Sequence, residues 1–223
     1  MHYKALLLDF YGTLVAEDDL VIAALLAEIA ALSPVSSDAR QIGRDWNFHA
    51  LCQSAYGADF QTQRALETAS LRLLLERYQV DLNADAMAER LFAHWQAPAV
   101  FEDAARFLNA SPLPVCVVSN IDTADLRAAC AHAGWKFDFM VTSESCRSYK
   151  PRPEMFRCAL DLMGCHAREA VHVGDSLSSD VKGAQAAGID VVWVNRTHKP
   201  LPNGMAAPAC TISRLDAFPF VER

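Results

Sequence analysis

The chain has 223 residues, 52% of them apolar and 21% charged, and a formal net charge of −7. That balance describes a globular protein with room for one sizeable core, and it argues against nucleic acid as a partner because no basic tract supplies counterion release. No apolar run approaches the ~18 residues of a membrane span, so no membrane partner is expected; the seven cysteines, none in a C-x-x-C pair, read as reduced thiols of a cytoplasmic protein.

In chain order, residues 5–9 (ALLLD) form a short apolar run closed by a carboxylate, the pattern of a buried parallel strand. Residues 15–97 lose that rhythm. Helical patterns recur over 20–32, 40–56, 61–78 and 85–95, with a turn at 34–38 and no strand. Apolar runs return at 115–119, 170–174 and 190–195, with a weaker one at 139–142. Helical patterns at 122–133, 153–163 and 180–187 lie between them, the last stopped by Gly188. This alternation predicts an α/β fold with a doubly wound parallel-sheet, Rossmann-like core formed by residues 1–14 and 98–223. Residues 15–97 are expected as an inserted α-helical cap domain over the carboxyl ends of the strands, where open α/β sheets bind ligands.

Four elements carry chemistry, and each has a bland reading when taken singly. Asp9 could only cap a strand end, Ser119-Asn120 could only turn the chain, and Lys150 before Pro151 could be a solvated charge. Asp175 and Asp180, five residues apart after Gly174, could be a capping pattern. All four close predicted strands, or lie beside them, at one edge of the same sheet. An aspartate there can act as a nucleophile, a lysine can neutralise it, and clustered carboxylates can hold a hard divalent cation.

With Asp9-Phe10-Tyr11-Gly12-Thr13, Ser119-Asn120, Lys150-Pro151 and Gly174-Asp175 through Asp180 in this order, the chain resembles the haloacid dehalogenase-like hydrolase superfamily, in its version with a helical cap after the first strand. The resemblance implies hydrolysis through a covalent intermediate on Asp9, with Lys150 as the catalytic cation. It also implies Mg²⁺ held by Asp9, Asp175 and the main-chain carbonyl of Tyr11, with Asp180 completing the metal's surroundings or holding Lys150. Gly12, Thr13, Ser119 and Asn120 would bind the phosphoryl group of the substrate.

Tyr11 departs from the pattern of the phosphatases, which carry a second aspartate there as general acid and base. A phenol with a pKa of about 10 is a poor base near pH 7. In 2-haloacid dehalogenases a tyrosine stands at this position, and Arg44, with Trp46 and Phe48, resembles their arginine and aromatic wall for a substrate carboxylate. Those dehalogenases work without metal and lack the aspartate found here at 175. Counting charges, Asp9, Asp175 and Asp180 against Lys150 leave −2, which one Mg²⁺ neutralises and which repels a carboxylate substrate. The expectation is therefore a Mg²⁺-dependent phosphatase acting on a small phosphorylated metabolite. The alternatives are a metal-independent 2-haloacid dehalogenase or a non-catalytic binding protein of the same fold. The partner expected is a small anionic molecule, and the protein itself a monomer or homodimer. The chain's lysines, at 4, 136, 150, 182 and 199, leave none in the cap for the Schiff base of the phosphonate-cleaving branch.

Overall fold

The computed structural model describes residues 3–218. Six strands form one parallel sheet: β1 (Ala5–Leu8), β2 (Val115–Ser119), β3 (Phe139–Thr142), β4 (Ala170–Gly174), β5 (Asp190–Val194) and β6 (Cys210–Ile212). Their spatial order is β3-β2-β1-β4-β5-β6. The chain winds outward in one direction through β3, then returns to the centre and winds the other way from β4. β1 and β4 are thus the neighbours at which the winding reverses, and a crevice opens there at the carboxyl ends of the strands.

The central strands are apolar without alternation because both faces are covered. Leu6 and Leu8 of β1 pack with Val117, Val171 and Val173 into a core on one side. Ala5 and Leu7 pack with Val118, Phe156 and Trp193 on the other. All four residues of β1 are at most 1% exposed.

Five helices follow β1 before residue 98: α1 (Asp19–Leu32), α2 (Ala39–Asp45), α3 (Phe48–Ser54), α4 (Gln63–Arg77) and α5 (Ala84–Gln96). The single helix expected over 40–56 is two. Trp46 turns extended, with ψ 111°, and its indole N–H donates to Ser70 Oγ on α4 at 2.7 Å, so the chain bends to seat the ring. The segments leading into and out of this helical insertion pair with each other through an antiparallel bridge between Val15 and Val100, with Ala16 N–H donating to the Ala99 carbonyl at 2.8 Å.

The remaining helices are α6 (Glu102–Ala110), α7 (Thr123–His132), α8 (Ser143–Cys146), α9 (Glu154–Met163) and α10 (Lys182–Ala186). α6 and β6 have no counterpart among the expected elements. α6 starts without a side-chain cap, and β6 is only three residues long. A π-helical turn, Leu177–Val181, replaces the start of the helix expected at 180. All seven cysteines are free; Cys52, Cys116 and Cys130 are buried, whereas Cys158 is exposed. Among the described residues no helix is long and apolar enough to cross a membrane.

Candidate active site

Asp9 follows β1 directly, and its N–H donates to the Val173 carbonyl at 2.9 Å, which continues the ladder with β4. Its carboxylate emerges between the ends of β2 and β4. Lys150 reaches it from the loop between α8 and α9. The Asn120 side chain holds that loop from both sides: Oδ1 accepts the Lys150 N–H at 2.7 Å and Nδ2 donates to the Lys150 carbonyl at 3.2 Å. Asn120, expected to touch substrate, thus positions the lysine through its main chain.

The Lys150 ammonium is 2% exposed and uses all three of its donors. It donates to Asp9 Oδ1 at 2.6 Å, Asp180 Oδ1 at 2.6 Å and the Val118 carbonyl at 2.9 Å. Burial works against its charge, and the two carboxylates overcome that, so Lys150 stays protonated well above the usual lysine range. Ser119 is buried at the end of β2, beside that Val118 carbonyl.

The π-helical turn carries Asp180 back over the end of β4. A side chain at position 174 would collide with the Asp180 carboxyl, so Gly174 is required for this approach. Asp180 Oδ2 accepts the Ser176 N–H at 3.0 Å, and Oδ1 is shared between Lys150 and His172 Nε2 at 2.9 Å. Burial would raise the Asp180 carboxyl, but Lys150 and His172 hold it far below the ordinary range. With both oxygens engaged, Asp180 holds Lys150, the second of the two roles expected for it. His172 is fully buried with its ring perpendicular to that of Phe156; Nε2 donates to the Asp180 carboxylate, and among the described residues Nδ1 has no hydrogen-bond partner.

Asp175 stands on the other side of Asp9. Gly12 has φ +83°, and the direction its Cβ would take is filled by the Asp175 carboxylate, so glycine is needed for both the backbone angle and the space. The Thr13 hydroxyl lies 3.2 Å from Asp9 Oδ2 and 3.3 Å from Asp175 Oδ1. Its main-chain carbonyl accepts from Arg196 Nη2 at 2.8 Å, while the same guanidinium pairs with the buried Asp103 at 3.0 and 3.1 Å. This brace on the loop after Asp9 joins three distant segments, and no short motif announces it.

Carboxylate oxygens of Asp9, Asp175 and Asp180 lie within 4.8 Å of one another, with one ammonium among them. Burial first, then the charge of Asp180, raises Asp9 against the pull of Lys150. Among the described residues no cation contacts Asp175, and its carboxyl is pushed up to about 8, by burial and then by Asp9 and Asp180. The donor set is all oxygen and carries excess negative charge. It fits a hard divalent cation, with Asp9 and Asp175 as the carboxylates free to hold it. Glu17 adds to the negative lining: its surface keeps solvent access, yet its carboxyl is pushed up to about 9 by desolvation and then by Asp175 and Asp9.

Replacing Asp175 by asparagine tests this electrostatic picture. A carboxyl that ionises near 4 when unfolded and near 8 when folded stabilises the protein below pH 4, and that contribution is lost as pH rises to 8. In chelator, Asp175→Asn is therefore expected to raise the melting temperature by about 4 °C or more at pH 8, with little change near pH 4. Differential scanning calorimetry across that range checks it. A variant less stable than wild type at pH 8 would contradict the repulsion.

Tyr11 does not face the carboxylates with its hydroxyl. The O–H donates to the Trp95 carbonyl at 2.6 Å, and the Trp95 indole N–H donates to Asp18 Oδ2 at 2.7 Å, so the loop after β1 grips the end of α5 at two points. Desolvation, then the surrounding acids, raises the phenol far above its usual range. Arg44 is exposed on α2 and donates to Gln41 within its own helix; it is not among the residues hydrogen-bonded to the Asp9 cluster.

The helical insertion is docked on the catalytic edge. Asp122, which precedes α7, accepts the Gln63 and Arg64 N–H groups at the start of α4 at 2.8 and 3.0 Å. Arg64 pairs through Nε and Nη2 with the buried Asp125 at 2.8 and 2.6 Å. The Tyr149 hydroxyl donates to the Gln61 carbonyl at 2.9 Å. Asp122 and Asp125 read in the sequence only as a helix start, since their partners lie about 60 residues away.

A nucleophile-like aspartate, a fully engaged lysine and a carboxylate pair at the switch point of a parallel sheet define the site of a hydrolase with a Rossmann-like core. The chain belongs to the haloacid dehalogenase-like hydrolase family, whose model matches residues 3–188. It is 39% identical over 80 residues to the pyrimidine 5'-nucleotidase YjjG of Escherichia coli (strain K12), a match covering 35% of each chain. It is 41% identical over 64 residues to a phosphoserine phosphatase of Thermus thermophilus, covering 29% of this chain and 26% of the relative. The matches thus span about a third or less of those two relatives. The (S)-2-haloacid dehalogenase H-109 of Pseudomonas putida is 26% identical over 196 residues, 86% of each chain. The structure of the L-2-haloacid dehalogenase from Xanthobacter autotrophicus superposes with a TM-score of 0.74 at 20% identity, covering 96% of this chain and 95% of that one, a likeness of fold.

Proposed function

We propose that this hydrolase is a phosphomonoesterase acting through a phosphorylated Asp9, on a small phosphorylated metabolite. One observation carries the reading: Asp175 stands beside Asp9 with no cation of its own, while the donors of Lys150 are all engaged. That arrangement calls for a divalent ion and offers no unengaged cation to a carboxylate substrate. Lys150 fixes Asp9 by Oδ1 and leaves Oδ2, beside the Thr13 hydroxyl, to attack phosphorus as the bond to the alkoxide breaks. Water then attacks the acyl phosphate at phosphorus, releasing inorganic phosphate and regenerating Asp9. Asp9, Asp175 and the Tyr11 carbonyl would hold Mg²⁺, which when bound supplies charge stabilisation for the transferring phosphoryl group. The Gly12 N–H already donates to the Val15 carbonyl at 2.7 Å, so the neighbouring main-chain N–H groups of the loop and the Ser119 hydroxyl are the donors offered to its oxygens.

The second reading is a 2-haloacid dehalogenase, favoured by Tyr11 and by the length of the match to the Pseudomonas putida enzyme. A hydrolysis screen of phosphate esters and 2-haloacids, each with Mg²⁺ and with chelator, separates the two. Mg²⁺-dependent release of phosphate supports the first, and chelator-insensitive release of halide overturns it.

In the phosphatase reading Tyr11 clamps the helical insertion and handles no proton. Tyr11→Phe removes one hydrogen bond to the Trp95 carbonyl and is expected to cost about 1 kcal/mol of stability. Its phosphatase kcat/KM should stay within about threefold of wild type, whereas loss of a general acid would cost about 10²-fold or more. Thermal melts and steady-state kinetics on the same preparation check both halves.

A further inference from the structure

The turn that follows Asp9 is held in two different ways. Bonds within it fix its shape: the Gly12 N–H donates to the Val15 carbonyl at 2.7 Å, and the Leu14 and Val15 N–H groups donate to the Phe10 carbonyl at 2.8 and 3.1 Å. Its place over the sheet depends on bonds to other segments, and one of those reaches Thr13 itself. Arg196, two residues beyond the end of β5, donates through Nη2 to the Thr13 carbonyl at 2.8 Å.

Arg196 has little freedom of its own. Nη1 and Nη2 grip the two carboxylate oxygens of Asp103 at 3.0 and 3.1 Å, and the guanidinium lies over the Phe101 ring at 4.0 Å. Asp103 is 1% exposed in the first turn of α6, and its Oδ2 also accepts the Leu215 N–H at 2.7 Å. A planar fork seated on a carboxylate that is itself fixed acts as a rigid strut, and what it fixes is the Thr13 peptide.

The Thr13 side chain points from that peptide into the site. Its buried hydroxyl lies 3.2 Å from Asp9 Oδ2, the oxygen that Lys150 does not hold, and 3.3 Å from Asp175 Oδ1. A hydroxyl has a single proton, so it serves one of these oxygens at a time. From 3.2 Å, a displacement of about 0.5 Å takes it out of hydrogen-bonding range.

We propose that Arg196 is a positioning residue for the nucleophile: from the Thr13 carbonyl it keeps the Thr13 hydroxyl on Asp9 Oδ2, the oxygen that attacks. This rests on Asp9 as the nucleophile and holds for attack on phosphorus or on carbon alike. Among the described residues the hydrogen bonds of Arg196 go to Thr13 and Asp103 and not to Asp9, Asp175 or Asp180. Its effect on turnover therefore passes through Thr13.

A double-mutant cycle tests this, with p-nitrophenyl phosphate and Mg²⁺ as the probe. Arg196→Met is expected to lower kcat by roughly 10²-fold, the effect of about 1 Å of misplacement, and to leave KM within about threefold. Thr13→Val, which removes the hydroxyl and keeps the shape, should lose at least as much. The double variant should stay within about twofold of Thr13→Val, because the strut then has no hydroxyl to place. Losses that multiply mean that Arg196 acts through its charge or through general stability, and they overturn the inference, as does a wild-type kcat in Arg196→Met. Arg196→Lys keeps the charge beside Asp103 and gives up the fork, so the same cycle runs on it if Arg196→Met folds poorly. Release of halide from 2-chloropropionate in place of phosphate release sinks the phosphomonoesterase reading alone, and the cycle is then read on the haloacid. If neither probe is turned over, crystal structures of wild type and Arg196→Met decide. A Thr13 hydroxyl moved beyond about 3.6 Å from Asp9 Oδ2 supports the inference, and an unmoved one overturns it.

Discussion

Asp9→Asn is expected to lower turnover by about 10⁴-fold or more, on the scale seen when a covalent nucleophile is removed, while the melting temperature stays level or rises. The amide cannot form the acyl phosphate, so no other group in the site replaces it. The stability half follows from electrostatics. Burial and Asp180 both oppose the charge on Asp9, and its removal leaves Lys150 with Asp180 and the Val118 carbonyl. Circular dichroism melts together with steady-state kinetics on the best substrate check the pair of outcomes. Activity near wild type would sink the assignment of Asp9 as nucleophile.

Lys150→Met should remove turnover and also destabilise, by roughly 3–5 kcal/mol, the range for breaking a buried ion pair by deleting one partner. The methionine fills much of the stem's space, so the loss comes from three carboxylates left without a cation. The pH dependence has a definite sign. Lys150 is raised above its unfolded value of ~10.4, so its stabilisation is complete below that pH and lost as pH climbs past it. Asp180 is depressed, so its share is present above pH ~4 and lost as pH falls. The deficit of Lys150→Met relative to wild type should thus be widest between about pH 5 and 10 and narrow toward pH 4. Urea denaturation at several pH values measures it; a deficit under ~1 kcal/mol that does not vary with pH would mean the ammonium does not hold the cluster together.

The same residues divide what a linear reading can and cannot reach. Asp9, Lys150, Asp175 and Asp180 are legible because each sits at the end of a strand-like run or beside a proline-started helix, and the order of such runs already implies a common edge. Arg44 looked promising because it neighbours aromatic residues in sequence, yet a helix turns each residue by about 100°, and the face it occupies is exposed. Asn120 and Tyr11 sit where expected, but their polar atoms point to the Lys150 backbone and the Trp95 carbonyl, partners 30 and 84 residues away.

By itself, then, the amino-acid sequence determined a parallel α/β core with a helical insertion and the set of chemical groups at its edge, because strand burial and element order are written in local hydrophobic pattern. Only the tertiary structure decided that Lys150 is engaged on three sides, that Asp175 stands beside Asp9 without a cation, and that Tyr11 clamps α5. Those are matters of which atoms meet across long loops, and hydrogen bonds a few ångströms long are fixed by packing rather than by spacing along the chain.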